Sequence, residues 1–353
     1  MGNCLPKPKK LSAEIAPDYV DGCTILKLYG SPSGIRTSYI RIALLFKAVP
    51  LQFLASEHTT NLCSSDTPIL QCGSDTVTGS NDAILCYVDA KFPNPPLLRG
   101  MGTGPSGIFY MPGLQNQSLE SIVLVVTLQH KSITWHLEKL VIWAKDLRTR
   151  EATTRVESSM RSLRMEVRKF GRCYSHLREV MLEHAQMEER VIFPVLEMAD
   201  RGLSGAANEE HARDLPIMNG INEAIKTIGV LEAGSLVEAM FDLFNRFKTL
   251  QENCREHFEE EMELLPLLEA AGLSKEGQER MMEKCLDVME GTHSRLFKFL
   301  IDGLSPQDAM YYLDILIRSI DKERAENMLL TLMNTWNDSP ASTPQEEPSV
   351  EGF

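Results

Sequence analysis

From Leu119 onward, apolar residues recur at three- and four-residue spacing almost without interruption. The pattern breaks at Gly202-Leu-Ser-Gly205, at Gly234-Ser235 and at Ala271-Gly-Leu-Ser274. That period predicts a succession of long amphipathic helices, with Ser274 as the N-cap of one of them. Ser305-Pro306-Gln-Asp308 opens a further helical pair that runs to about Trp336, because serine before proline is a good start signal. Residues 337–353 are rich in Pro, Ser, Thr and Glu, and such a tail cannot bury a core.

The first hundred residues follow another rhythm. Cys23-Thr-Ile-Leu-Lys-Leu-Tyr29 alternates like a strand and runs into the turn cluster Gly30-Ser-Pro-Ser-Gly34. Ser38 to Phe46 has helical spacing, and Leu51-Gln-Phe-Leu54 is a short strand. Thr67-Pro68-Ile-Leu precedes a turn at Gly73-Ser-Asp75, and Asn81 to Tyr87 reads as a second helix. Strands alternating with helices predict a small α/β layer over 23–98. Residues 99–118, dense in Gly, Pro, Ser and Asn, read as a linker. The helical region then divides into a bundle over 119–303 and accessory helices over 304–336.

Within the helical region, two stretches carry chemistry. His184-Ala-Gln-Met-Glu188 and His257-Phe-Glu-Glu-Glu261 each set an imidazole and a carboxylate four residues apart, on one helix face. With 8 His and 33 Glu in 353 residues, about 0.7 such pairs arise by chance, so spacing alone decides nothing. The shared context does more: each pair runs on into Pro-(Val/Leu)-Leu-Glu, at Pro194 and at Pro266. A single histidine also precedes each pair, His130 before the first and His211 before the second. This is a repeat of a two-helix unit, and two such hairpins make a four-helix bundle whose core can hold metal ligands. Four imidazoles and two carboxylates suit a pair of iron ions; imidazole alone would also suit zinc, copper or nickel.

On these residues, 119–303 resembles the hemerythrin-like HHE cation-binding family. The resemblance implies His130, His184, Glu188, His211, His257 and Glu261 as ligands of a di-iron centre with two ions per chain. Two positions depart from the oxygen-carrying hemerythrins. Leu215 stands where their third helix has a second histidine, and His257-x-x-x-Glu261 replaces their His-x-x-x-x-Asp. One imidazole fewer argues against oxygen carriage. The pattern is similar to the hemerythrin domains of plant and animal iron-sensing proteins, which implies iron or oxygen sensing or iron homeostasis.

The segment 24–98 resembles the thioredoxin-like N-terminal domain of glutathione transferases. Leu28-Tyr-Gly-Ser-Pro32, Arg41-Ile-Ala-Leu44, Thr67-Pro68-Ile-Leu70 and Ala83-Ile84-Leu-Cys-Tyr87 with Phe92-Pro93 carry the likeness. It implies a cis Pro68. Gly34 falls where transferases need a hydroxyl or thiol, although Ser31 and Ser33 are near, and Ser80-Asn81 replaces their acidic-Ser pair. A module kept for docking a protein partner is therefore expected, rather than conjugation chemistry.

The expected architecture is multidomain, α/β then all-α: a small thioredoxin-like domain, then a hemerythrin-like four-helix bundle with extra C-terminal helices. The leading expectation is a non-enzymatic iron-binding protein. The alternatives are a glutathione-dependent transferase, a di-iron oxidase on the same ligands, and a membrane-tethered scaffold with a structural metal.

Composition narrows this further. A net charge of −13 argues against nucleic acid as a partner. The 8 cysteines contain no Cys-x-x-Cys, as expected of a reduced cytoplasmic protein without a zinc finger or disulfide framework. No run is long enough to span a membrane, and the N-terminus lacks the apolar core of a secretory leader. Residues 1–22 form a basic arm instead. Gly2 is a candidate for myristate and Cys4 for palmitate, beside Lys7, Lys9 and Lys10, although Pro6 stands where the acylation motif wants Ser or Thr. The arm predicts an anchor on the cytosolic face of a membrane.

Other residues carry less. His136 is expected at the surface or behind the ligands, and His176 as a reserve ligand. His58 and His293 have no ligand-spaced partner. The 17 Met read as core filler, and Trp135 and Trp143 as markers of a buried helix face.

Overall fold

The computed structural model describes residues 19–20, 23–55, 67–98, 118–151, 157–231 and 233–337. Gly2, Cys4, the lysine cluster, His58 and the 338–353 tail lie outside them. The chain divides into two units, Met1–Pro95 and Pro96–Phe353.

In the first unit, β1 (Tyr19–Val20) pairs antiparallel with β2 (Cys23–Thr24). A separate four-stranded sheet has the order β4 (Leu51–Ala55), β3 (Leu26–Gly30), β5 (Ile69–Cys72), β6 (Asp75–Thr78). β3 and β4 run parallel with Leu28 opposite Phe53; β5 lies antiparallel to β3 with Leu70 opposite Leu28. A parallel pair needs a crossover, and α1 (Ile35–Phe46) supplies it. Gly30 is required where β3 turns toward α1, because a Cβ there would sit 2.3 Å from Thr37 Oγ1.

The alternation in β3 places Leu26 and Leu28 in the core with Ile40, Ala43 and Leu44 of α1 and Ile84, Leu85 and Val88 of α2 (Asn81–Lys91). Lys47 is buried but fully engaged: it pairs with Asp89 at 2.6 Å and donates to the Phe92 and Pro95 carbonyls at 2.5 Å each. Among the described residues of this unit, the cis peptide bond is Asn94–Pro95. Thr67–Pro68 is not cis, which corrects the expectation drawn from the transferase likeness.

The second unit is built on four long helices: α3 (Ser118–Glu151), α4 (Glu157–Met187), α6 (Gly205–Ile228) and α7 (Ala233–Leu264). They pack as a ring, each against two neighbours, in the order α3, α4, α6, α7 and back to α3. Phe170, Tyr174 and Phe247 meet edge to face in the interior, with centroids 5.3 and 5.2 Å apart. The Tyr174 hydroxyl satisfies itself by donating to the Met218 carbonyl at 2.7 Å. Trp143 adds an edge contact to Phe170 but is only half-buried, as is Trp135. The buried stripe of α3 runs instead through Val126, His130, Ile133, Leu137, Leu140, Ala144 and Leu147.

Beyond the ring come α8 (Lys275–Val288), α9 (Glu290–Arg295), α10 (Phe297–Asp302), α11 (Pro306–Ser319) and α12 (Lys322–Asn337). Ser274 and Ser305 cap α8 and α11 through side-chain acceptors at 3.2 and 3.1 Å. α8, α10 and α11 cover α3, while α8 and α9 cover α4. Ser132 donates to the Leu300 carbonyl at 2.7 Å, and Gly303 permits that approach, since a Cβ there would lie 2.4 Å from Ser132 Oγ.

His136, expected at the surface or behind the ligands, is buried in this seam. Its Nε2 donates to the Phe299 carbonyl at 2.7 Å, and its ring stacks on Phe299 at 3.7 Å. Burial lowers its pKa from 6.5 to about 4, against the carbonyl, which favours the charged form. The unfolded chain therefore binds a proton more tightly than the folded one. Stability from this site is full above pH 6.5 and is lost as pH falls toward 4, by roughly 2 kcal/mol at pH 5. Denaturation midpoints at pH 7.5 and 5.0 are expected to converge in His136→Gln relative to the unsubstituted protein. An unchanged difference would overturn the assignment.

Among the described residues, no helix is long and apolar enough to cross a membrane.

Candidate metal centre

Each ring helix sends at least one polar side chain inward. α3 contributes His130, α6 His211, and α7 both His257 and Glu261; His184 comes from the last turn of α4. Glu188 opens a π-helical turn, Glu188–Ile192, between α4 and α5 (Phe193–Ala199). Pro194 accounts for the break in α-helical bonding, since proline offers no N–H to the carbonyl of residue 190. Such turns recur at functional sites. After the second pair, Pro266 opens a 3₁₀ turn, Leu265–Ala271, that packs on α5. Glu197 secures the run into α6 by accepting from the Gly202 and Ser204 N–H groups and the Ser204 hydroxyl at 2.7 to 2.9 Å. Those bonds hold its carboxyl down at about 2.

The structure brings all six sequence-predicted residues to one place. Five are at most 5 % exposed, and His211 is partly exposed. His130, His184, Glu188 and Glu261 form one cluster and Glu188, His211 and His257 a second, so Glu188 belongs to both. Glu188 lies 2.7 Å from His184 Nε2, 3.6 Å from His130 Nε2 and 3.4 Å from His211 Nε2. Glu261 lies 3.2 Å from His130 Nε2 and 3.7 Å from His257 Nε2. His211 and His257 face each other, Nε2 to Nε2, at 3.0 Å. His176 is exposed and joins neither cluster; Leu215 is 42 % exposed, well outside a ligand's environment.

The outer ring nitrogens decide what the inner ones can do. Nδ1 of His211 meets Glu189 Oε1 at 3.0 Å, and Nδ1 of His257 meets Glu210 Oε2 at 2.7 Å. An ionised carboxylate only accepts, so each Nδ1 donates, and Nε2 is the nitrogen that each ring can turn to a metal in the cluster. His184 Nδ1 rests on Gln129 Oε1 at 2.8 Å. His130 differs, with its ring stacked on Phe258 at 3.9 Å and no partner at Nδ1. Glu189, Glu210 and Gln129 each neighbour a predicted ligand in sequence, but nothing in the spacing marks them.

Both oxygens of Glu188 and of Glu261, His184 Nε2 and His130 Nε2 are buried without a hydrogen-bonded partner. A carboxylate so placed costs several kcal/mol unless a cation compensates. The protein alone answers by splitting the pair. Burial raises Glu188, but the His184 charge and the close approach of the His130, His184 and His211 imidazoles bring it well below the carboxylate range. Burial and the Glu188 charge push Glu261 well above it. Burial lowers His211, yet Glu188 and Glu189 raise it to about 9, while His257 is lowered, by burial above all. Converging imidazoles and two buried carboxyl groups form a donor set in which a bound cation takes the place of the protons. Neither cluster includes a cysteine among the described residues, so the donors are nitrogen and oxygen, suited to iron, manganese or zinc. A groove of about 870 Å³ reaches His130 and Phe258 past Thr127, Trp135 and Gly303.

Residues 121–268 match the family model of the Hemerythrin HHE cation binding domain. All six site residues fall inside the match. No curated protein and no solved structure matches the chain. The hemerythrin HHE match and a His/Glu cluster able to hold a metal together mark a metal-binding protein.

Proposed function

We propose that the protein binds a di-iron centre, with His130 and His184 serving one ion, His211 and His257 the other, and Glu188 and Glu261 shared. The observation that carries this is Glu188, whose two buried oxygens face histidines of both clusters. Shared carboxylates favour iron or manganese over an imidazole-only metal. Bound iron would supply redox change and exchangeable coordination. The chain's own contribution is to exclude water from the carboxylates, aim the Nε2 atoms and keep the outer nitrogens occupied. Sensing of iron or oxygen is the role we assign, because the groove beside His130 lets small solutes approach and metal binding couples to stability.

The first unit reads best as a thioredoxin-like docking module. Its parallel β3–β4 pair and antiparallel β5 and β6 support that, and Gly34, the N-cap of α1, offers no hydroxyl for thiol activation. An acylated Gly2 and Cys4 would tether the whole at a membrane.

Elemental analysis of purified protein, with absorption spectra before and after reduction, tests the centre. About two iron ions per chain are expected, as in carboxylate-bridged bundles. Stoichiometric zinc without iron, after anaerobic reconstitution with both metals, would refute the reading.

A further inference from the structure

His184 is joined to the C-terminal helices by a buried line of hydrogen bonds. Its Nδ1 meets Gln129 Oε1 at 2.8 Å, and Gln129 Nε2 donates to the Tyr312 hydroxyl at 3.0 Å. That hydroxyl meets His293 Nε2 at 2.9 Å, and the Leu286 backbone lies against the same imidazole. Gln129 and Tyr312 are fully buried and His293 is 7 % exposed, so each polar atom depends on its neighbour in the line.

One group sets the direction of every bond. Tyr312 occupies Nε2, so Nδ1 is the nitrogen left for the Leu286 carbonyl, which only accepts, and Nδ1 carries the proton. Burial keeps His293 neutral near neutral pH, its pKa lowered to about 3, and Nε2 is therefore a bare lone pair. Tyr312 must donate to it. The Tyr312 oxygen then accepts from the Gln129 amide nitrogen, which turns Gln129 Oε1 toward His184. Oε1 accepts as well, so His184 Nδ1 is protonated. Only Nε2 remains to offer a lone pair, and it faces Glu188 Oε1 at 2.7 Å.

We propose that Gln129, Tyr312 and His293 are positioning residues of the metal centre, fixing the ligating tautomer of His184 from a carbonyl on α8. This rests on the metal-binding reading above. It extends the centre past the hemerythrin match, since Leu286, His293 and Tyr312 all lie beyond residue 268. His211 and His257 lean on carboxylates of adjoining positions, whereas His184 is held by a neutral relay through three helices beyond its own. Outer partners of ligating histidines typically account for roughly 10- to 100-fold in metal affinity.

Nitrogen-15 spectra of the histidines in the full chain, metal-free and zinc-loaded, test the relay. His293 is expected as the Nδ1–H tautomer and His184 with Nδ1 protonated in both states. Tyr312→Phe removes one hydroxyl with little change of volume. It is expected to give mixed His184 tautomers in metal-free protein and zinc affinity lower by roughly 10- to 100-fold. Gln129→Glu keeps an acceptor on His184 Nδ1 but replaces the donor to Tyr312 with an acceptor, so His184 is expected to keep its Nδ1 proton while His293 Nε2 loses the Tyr312 hydroxyl. A bare His184 Nδ1, a proton on His293 Nε2, or a Tyr312→Phe affinity within about twofold overturns the relay. If Tyr312→Phe does not fold, the tautomers of the unsubstituted protein decide. Both tautomers found as expected in protein that takes up no zinc would remove the metal reading and leave the hydrogen-bond line standing.

Discussion

Glu188→Ala is expected to strip the protein of nearly all its metal, more completely than the loss of any one histidine. Glu188 belongs to both clusters and stands within 3.6 Å of three imidazole nitrogens. Without it, both halves lose a carboxylate and only Glu261 is left to serve them. His257→Ala removes an imidazole from one half and leaves His130, His184, Glu188 and Glu261 in place. Metal per chain after purification, measured side by side, should rank the unsubstituted protein first, His257→Ala intermediate and Glu188→Ala last. Equal retention in Glu188→Ala and the unsubstituted protein would place the metal elsewhere.

Glu261→Gln is expected to act in opposite directions on the loaded and the metal-free protein. In the loaded state it removes a charged ligand, so the metal should leave and its linked stabilisation with it. That contribution is about 4 kcal/mol where free metal exceeds the dissociation constant a thousandfold. In the metal-free state Glu261 is a buried carboxyl facing Glu188, held protonated by burial and by that neighbour's charge. A neutral amide of the same shape removes that cost, because a carboxylate ionised in the unfolded chain must take up a proton on folding whereas an amide need not. Thermal unfolding with iron and with chelator should therefore show the two proteins exchanging rank. If chelator leaves the unsubstituted protein no less stable, the metal is not linked to folding.

Some of this was legible in the chain. A four-residue step fixes two side chains on one helix face whatever surrounds them, so His184 with Glu188 and His257 with Glu261 could be read directly. The repeated proline context located both pairs. What could not be read is anything set by packing between distant segments. Tyr312 reaches Gln129 across 183 positions and His293 reaches Tyr312 across 19, with no periodicity linking them. His136 shows the same limit, because the helix it serves begins at Phe297. In the first unit, Asp75-Thr-Val-Thr78 is largely polar, and only its first residue is read, as the end of the Gly73-Ser-Asp75 turn; the segment forms β6, paired antiparallel with β5. Trp135 and Trp143 misled by their size, as large aromatic residues often sit half-buried at a helix flank.

The π-turn at Glu188 also settles a difference in length between the two repeats. Six positions separate Glu188 from Pro194, but five separate Glu261 from Pro266. Aligned on their prolines, Phe193 matches Leu265 and Leu196 matches Leu268, all four buried. Aligned on their glutamates, His184 matches His257, again both buried. A regular helix could not satisfy both alignments in the first repeat, since one extra residue turns all that follows by about 100°. The wider turn takes up that surplus residue without passing the rotation on. Ligand phase upstream and core phase downstream are thereby decoupled, so the one-residue difference between the repeats is confined to a local swelling of the helix beside the metal site.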